Sequence, residues 1–143
     1  MTVAQILKEK GDEVISVPAG ATVMHTLGVL KEHGIGAVLV RGENGDIAGV
    51  FSERDAVRAL PARGAGLLLE PVSTIMTSDV ITCSPDDAIA SVMALMTRKR
   101  VRHLPVMEDG KLIGLVSIGD VVKHRIAETE HDVEALRAYI ALG

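Results

Sequence analysis

The sequence is poor in aromatic side chains: no tryptophan, one tyrosine (Tyr139) and one phenylalanine (Phe51). A single-strand nucleic-acid platform stacks bases on aromatic rings, so that class is disfavoured. Cysteine is equally scarce. Cys83 stands alone, which excludes an intramolecular disulfide and argues against a cysteine-built zinc site. A basic excess is missing too, since 15 Lys and Arg face 19 Asp and Glu for a formal net charge of −4. The broad cationic footprint of a nucleic-acid binder is therefore absent. No apolar run reaches membrane-spanning length, which predicts no membrane association. The first ten residues, Met1 to Lys10, carry charge early and hold no apolar stretch of signal-peptide length. These absences predict a soluble, intracellular, cytoplasmic protein.

What is present is an aliphatic chain of 143 residues, 48% hydrophobic and 24% charged. That length suits one compact domain or two very small ones. It contains an internal repeat. Val14-Ile15-Ser16-Val17 matches Val80-Ile81-Thr82-Cys83 at a shift of 66, and Val23, Leu27 and Leu30 fall on Ile89, Met93 and Met96. Val38-Leu39-Val40 falls on Leu104-Pro105-Val106 at the same shift. At a shift of 65, Gly49-Val50-Phe51-Ser52-Glu53-Arg54-Asp55 falls on Gly114-Leu115-Val116-Ser117-Ile118-Gly119-Asp120. Upstream, Val3 and Ile6-Leu7 match Val72 and Ile75-Met76 at a shift of 69.

Each copy reads as strand, helix, strand, strand, helix. Val14–Val17 and Val80–Cys83 are short β-branched runs. Ser84-Pro85-Asp86-Asp87 supplies a helix cap and a proline for the first turn. Asn44-Gly45 and Asp109-Gly110 are hairpin turns between Gly36–Val40 and Ile47–Phe51, and between His103–Val106 and Leu112–Val116. Second helices begin near Ser52 and Ser117, whose hydroxyls can cap them. Pro61 to Gly66 breaks the first copy's second helix and serves as the linker, and Leu67-Leu68-Leu69 docks on the body. The organisation is a mixed α+β fold with a first unit at 1–62, a linker at 63–71, a second unit at 72–130 and an amphipathic C-terminal helix at 131–143. A sixty-residue unit is marginal alone, so the two are expected to pack as one pseudo-twofold domain. Val133, Leu136 and Ile140 give the C-terminal helix an apolar stripe, which fits either its own body or a dimer contact.

Two βαββα copies that each end in Gly-apolar-x-Ser-x-x-Asp resemble a tandem pair of CBS domains, named for cystathionine β-synthase. The resemblance covers about residues 1–130. It rests most specifically on Gly114 to Asp120 and on Arg102-His103-Leu104-Pro105-Val106. It implies a non-catalytic regulatory module that binds adenosine-containing ligands such as AMP, ADP, ATP, S-adenosylmethionine or NAD(H). It also implies a homodimer of CBS pairs and, with no effector domain in sight, an effector protein that reads the ligand state.

The residue types suit that role. A carboxylate can accept two hydrogen bonds from a ribose diol, and Asp55 and Asp120 each sit in the first turn of a helix. A serine hydroxyl and free N–H groups at the same helix start suit a phosphate. Caps and dipole complements need the same residues, and the two roles are compatible. By the resemblance, Arg102 and His103 meet phosphate, while Arg98, Lys99 and Arg100 belong to the surface. The first copy has Gly36 and Ala37 there instead, and Arg54 of the first copy is replaced by Gly119 in the second, so the two sites differ. The resemblance joins Ser117, Asp120, Arg102 and His103 to Ile15 and Ser16 in one cleft. It joins Ser52, Arg54 and Asp55 to Ile81 and Thr82 in the other.

An enzyme is disfavoured by the lack of a nucleophile–base pair, a phosphate-binding Walker loop or a dinucleotide fingerprint. The histidines show no metal-ligand spacing, and His124 and His131 read as surface residues. Cys83 reads as a small buried apolar residue. Two alternatives stay open: a nucleic-acid binder using residues 98–103, and a purely structural dimer.

Overall fold

A computed structural model describes residues 1–11 and 13–142. The chain forms two compact units: Val14–Val80, and the N-terminal segment together with the residues from Ile81 onward. Each is a mixed α+β body with its own aliphatic core.

In the first unit, β1 (Ser16–Pro18) runs parallel to β2 (Ala37–Arg41), which pairs antiparallel with β3 (Ile47–Ser52). The hairpin between β2 and β3 is the one Asn44-Gly45 predicts, with Gly45 at φ 79°. Helix α2 (Val23–His33) starts at Thr22, whose hydroxyl accepts the His25 amide at 3.0 Å. Helix α3 (Glu53–Arg63) follows β3 directly. It runs through Pro61 and ends where the Gly64 amide donates to Leu60 O at 2.8 Å, so the predicted break falls later than Pro61. Two 3₁₀ turns, Ala65–Leu69 and Val72–Thr74, lay the intervening segment back on this body. Val17, Val23, Leu30, Val38, Val40, Phe51, Leu67 and Val72 form the core. Leu67 docks as predicted, while Leu69 is exposed.

The second unit contains α1 (Val3–Lys10), α4 (Ile89–Lys99), the antiparallel pair β4 (His103–Glu108) and β5 (Lys111–Ser117), and α5 (Ile118–Leu142). Its core joins Val3, Ile6 and Leu7 of α1 to Cys83, Ile89, Val92, Met96, Leu104, Val106, Val116 and Val121. The strand predicted at Val80–Cys83 is reduced to one parallel bridge, Cys83 to Val106. The reason is Pro105. In the first unit the Leu39 amide donates to Ile15 O at 3.2 Å. Pro105 occupies the position of Leu39 and has no N–H to give to Ile81.

Two further local expectations differ from the structure. The Ser84 to Asp87 segment does close on itself, with the Ser84 amide donating to Asp87 Oδ2 at 2.9 Å. The helix nevertheless begins at Ile89, whose amide donates to Met1 O at 3.1 Å. The first unit repeats this arrangement, with the Val23 amide on Glu70 O at 2.9 Å. Thus the segment before each repeat supplies a backbone acceptor to the first amide of a helix, beside the Thr22 cap in α2 and with no side-chain cap in α4. The C-terminal helix is not a separate element either, because α5 continues without interruption from Ile118 to Leu142. Between Val121 and Leu142 no proline or glycine stops it.

The paired glycines of the repeat take the segments preceding the repeats. A Cβ on Gly114 would lie 2.6 Å from Leu7 Cδ2. A Cβ on Gly49 would lie 2.7 Å from both Met76 Sδ and the Thr77 carbonyl oxygen. Leu7 and Met76 correspond at the 69-residue shift. Each body therefore holds the segment that precedes the other repeat.

Candidate functional site

Both Ser-x-x-Asp motifs sit where a β-strand turns into a helix, and in both the serine and aspartate close on each other. In the first unit the Ser52 amide donates to Asp55 Oδ2 at 2.8 Å and the Ser52 hydroxyl at 3.2 Å. The Thr77 hydroxyl donates to Asp55 Oδ1 at 3.2 Å. In the second unit the Ser117 amide donates to Asp120 Oδ2 at 2.9 Å, and the Asp120 amide donates to Ser117 Oγ at 3.1 Å. These are capping boxes, and they fix both side chains at the helix start. A carboxylate can accept about four hydrogen bonds, so neither aspartate is filled by these partners.

Lys10 distinguishes the second motif. Its ammonium donates to Asp120 Oδ2 at 2.6 Å and to Leu115 O at 2.9 Å. Partial burial pushes the Asp120 carboxyl upward. The Lys10 ammonium and the Ser117 amide and hydroxyl outweigh it and hold the group below the usual aspartate range. Asp55 faces a neutral hydroxyl at the corresponding place. Nothing in the periodicity singles out Lys10. Only the packing of α1 beside α5 brings it there.

His124 anchors the same region. It is buried, contrary to the surface reading, with Nδ1 2.9 Å from Asp120 O and Nε2 2.9 Å from Glu9 Oε2. The His124 ring and then the Lys123 ammonium lower the pKa of the Glu9 carboxyl. The end of α1 is thus clamped on α5 by Glu9 and Lys10 together.

The neighbouring strands place the other predicted residues. His103 pairs with Ser117 across β4 and β5, and the Ile118 amide donates to Arg102 O at 2.8 Å. Arg102, His103, Ser117 and Asp120 therefore share one end of the β4–β5 hairpin, with Arg102 exposed. The first unit has the same backbone arrangement around uncharged residues: Ala37 pairs with Ser52, and the Glu53 amide donates to Gly36 O at 3.2 Å. Arg54 is exposed on the first turn of α3. Ile15 is half-buried beside the first core. Ser16, on β1, accepts the Arg41 Nε–H at 3.1 Å. Ile81 packs on the second core, and Thr82 is exposed in irregular chain. Arg98, Lys99 and Arg100 lie on the surface.

Cys83 is buried, and burial followed by the nearby Asp87 pushes its thiol up to about 12. A thiol of that kind is a packing group, not a nucleophile. Among the described residues, no group of three or more His, Cys, Asp and Glu side chains could hold a metal ion. No helix among them is long and apolar enough to cross a membrane.

The CBS domain family model matches residues 3–62 and 72–127. The chain is 34% identical to the CBS domain-containing protein CBSX3, mitochondrial, of Arabidopsis thaliana, over 99% of this chain and 73% of that protein. The crystal structure of the CBS-domain containing protein ATU1752 from Agrobacterium tumefaciens superposes with a TM-score of 0.84. The two are 41% identical over 87% of this chain and 92% of that one. The CBS domain pair of protein MJ0100, solved with 5′-methylthioadenosine and S-adenosyl-L-methionine, shares the fold at a TM-score of 0.77. It is 22% identical over 90% of this chain and 98% of that one.

Proposed function

The chain belongs to the CBS-domain family, with two CBS domains in tandem, and from that premise we propose that it is a non-catalytic sensor of adenosine-containing ligands. The observation that carries this reading is the twofold Ser–Asp box. The same hydroxyl, carboxylate and helix start recur in both repeats, each with carboxylate acceptor capacity to spare. That set matches a ribose diol at the carboxylate and a phosphate at the helix start. The adenosine ligands bound by the MJ0100 pair support the ligand class.

In this reading one cleft uses Ser117, Asp120, Arg102 and His103 with Ile15 and Ser16. The other uses Ser52, Arg54 and Asp55 with Ile81 and Thr82. Adenine is held by aliphatic side chains and backbone, which the aromatic-poor composition requires. Arg102 favours a phosphate-bearing ligand such as AMP, ATP or NAD(H) in the first of these clefts. The ligand biases a homodimer of CBS pairs between arrangements, by no more than its differential affinity for them, and an effector protein reads the outcome.

The test is thermal melting with millimolar AMP, ATP, NAD, NADH or S-adenosylmethionine. A ligand at about 100 times its Kd adds roughly 2.7 kcal/mol of stability. Asp120→Ala and Asp55→Ala are each expected to remove part of the ligand-induced shift, measured against each variant's own baseline because each also loses a cap. No shift with any of the five ligands, in protein free of co-purified nucleotide, would sink the sensor reading.

A further inference from the structure

The C-terminal half of α5 stands clear of the body. Val121 and His124 are its buried residues, and every residue from 129 to 142 is exposed. A free helix of that length is marginal in water. Yet the exposed side is not uniformly polar. Val122, Ile126, Thr129, Val133, Leu136 and Ile140 recur at alternating spacings of four and three. At about 100° per residue these six positions form one narrow stripe. The stripe lies about 130° around the helix from the face that Val121 and His124 press into the core, so it runs on beside the body without being covered by it.

Alternating fours and threes are a heptad repeat, the signature of a coiled-coil seam. Ile126, Val133 and Ile140 take the a positions, and Val122, Thr129 and Leu136 take the d positions. Ile126, Val133 and Ile140 at a with Leu136 at d match the two-stranded pattern in that part of the seam, and Val122 and Thr129 at d do not add to it.

The flanking charges choose the same arrangement. Arg125 and Asp132 occupy g positions, and Glu130 and Arg137 occupy e positions. In a parallel, in-register pair each g residue meets the e residue five places on in the other helix. Arg125 then meets the partner's Glu130, and Asp132 meets the partner's Arg137, so both contacts are attractive. An antiparallel pair with the same six layers would set Glu130 against the partner's Glu130 and Lys123 against the partner's Arg137. Arg125 is also held by Glu128 of its own helix, whereas Asp132 and Arg137 have no ion-pair partner among the described residues.

We propose that α5 forms a parallel, in-register two-stranded coiled coil with a second copy of this chain, through the seam from Val122 to Ile140. This contact is separate from any pairing of the CBS domains and does not depend on the ligand reading. Its geometry follows from the helix alone: two copies related by a twofold axis along the seam place their bodies on opposite sides of the helix pair.

The test is site-directed disulfide trapping in the full chain. A d position faces itself in such a pair, at a separation that a disulfide can close. Leu136→Cys is expected to convert to a disulfide-linked dimer under mild oxidation. His131→Cys, on the outer face of the same helix, is expected to stay monomeric on a denaturing gel. Both positions are exposed, and the native buried Cys83 is common to both variants. Adding Asp132→Arg to Leu136→Cys should slow the trapping, and adding Arg137→Asp as well should restore it. Absence of trapping at Leu136→Cys, or equal trapping at both positions, overturns the proposal. Trapping that is indifferent to the charge reversals overturns the parallel register.

Discussion

The Lys10 ammonium lies 2.6 Å from Asp120 Oδ2 across 110 residues of chain, and it ties the last turn of α1 to the first turn of α5. The same carboxylate receives the Ser117 amide, so one side chain caps a helix and anchors another. In the other repeat Thr77 stands where a neutral donor replaces the ammonium.

Replacing Lys10 by methionine keeps the stem that covers the body and removes the charge. Because the pair is partly exposed, the loss should be about 0.5–1 kcal/mol at neutral pH. Asp120 titrates below the usual aspartate value in the folded protein. The pair's contribution is therefore complete above the ordinary aspartate pKa of about 3.9, and it fades as pH falls through the lower folded value. Melting curves of the two proteins should differ at pH 7 and converge as the pH drops below the aspartate range. A difference that grows on acidification would contradict the assignment.

The matched glycines should respond unequally to alanine. At Gly49 the new Cβ would meet the Thr77 carbonyl oxygen at 2.7 Å, and the Val50 amide and Thr77 carbonyl share a bridge there at 2.9 Å. Backbone cannot yield without breaking that bridge. At Gly114 the obstacle is only the methyl end of Leu7. Gly49→Ala should cost about 1–3 kcal/mol, the usual range for overpacking, and Gly114→Ala should cost less. Urea denaturation of the two variants measures the order directly.

Arg100 ends α4 in the left-handed region, at φ 55° and ψ 41°. Its counterpart in the first repeat is Gly34, at φ 62° and ψ 37°. Glycine bears no Cβ penalty in that conformation, so Arg100→Gly should stabilise the protein by roughly 0.5–1 kcal/mol. The arginine side chain is exposed. A lower melting temperature for the variant would show that the side chain contributes more than its conformation costs.

The hairpins and the two helix starts at Ser52 and Ser117 were legible in the sequence because local chemistry dictates them: turn dipeptides, β-branched runs and a serine followed by an aspartate. The harder features depend on partners distant in the chain. Ile81 could not form a strand because a proline 24 residues away withholds an amide. Ser84 did not start a helix because the carbonyl of Met1 already caps Ile89. Lys10 and Thr77 carried no motif, and they reach their aspartates only after α1 and the 3₁₀ segment dock. The extent of α5 followed a different rule. Its apolar stripe was visible, but its continuity came from what the segment lacks, a proline or glycine between the body and the stripe.

The docking of α1 with the residues after Ile81 also orders events during synthesis. The first unit has all of its strands once Val80 has left the ribosome, and it can close then. The α1 segment cannot. Val3, Ile6 and Leu7 must wait, uncovered, until the residues after Ile81 emerge, and the first contacts, the Val3 amide on Asp87 O and the Ala4 amide on Pro85 O, close a loop of more than eighty residues. Closing so long a loop costs little more entropy than closing one half its length. The delay, not the thermodynamics, is what this topology imposes, and a nascent chain stalled before Ile81 would display α1 as an unprotected amphipathic helix.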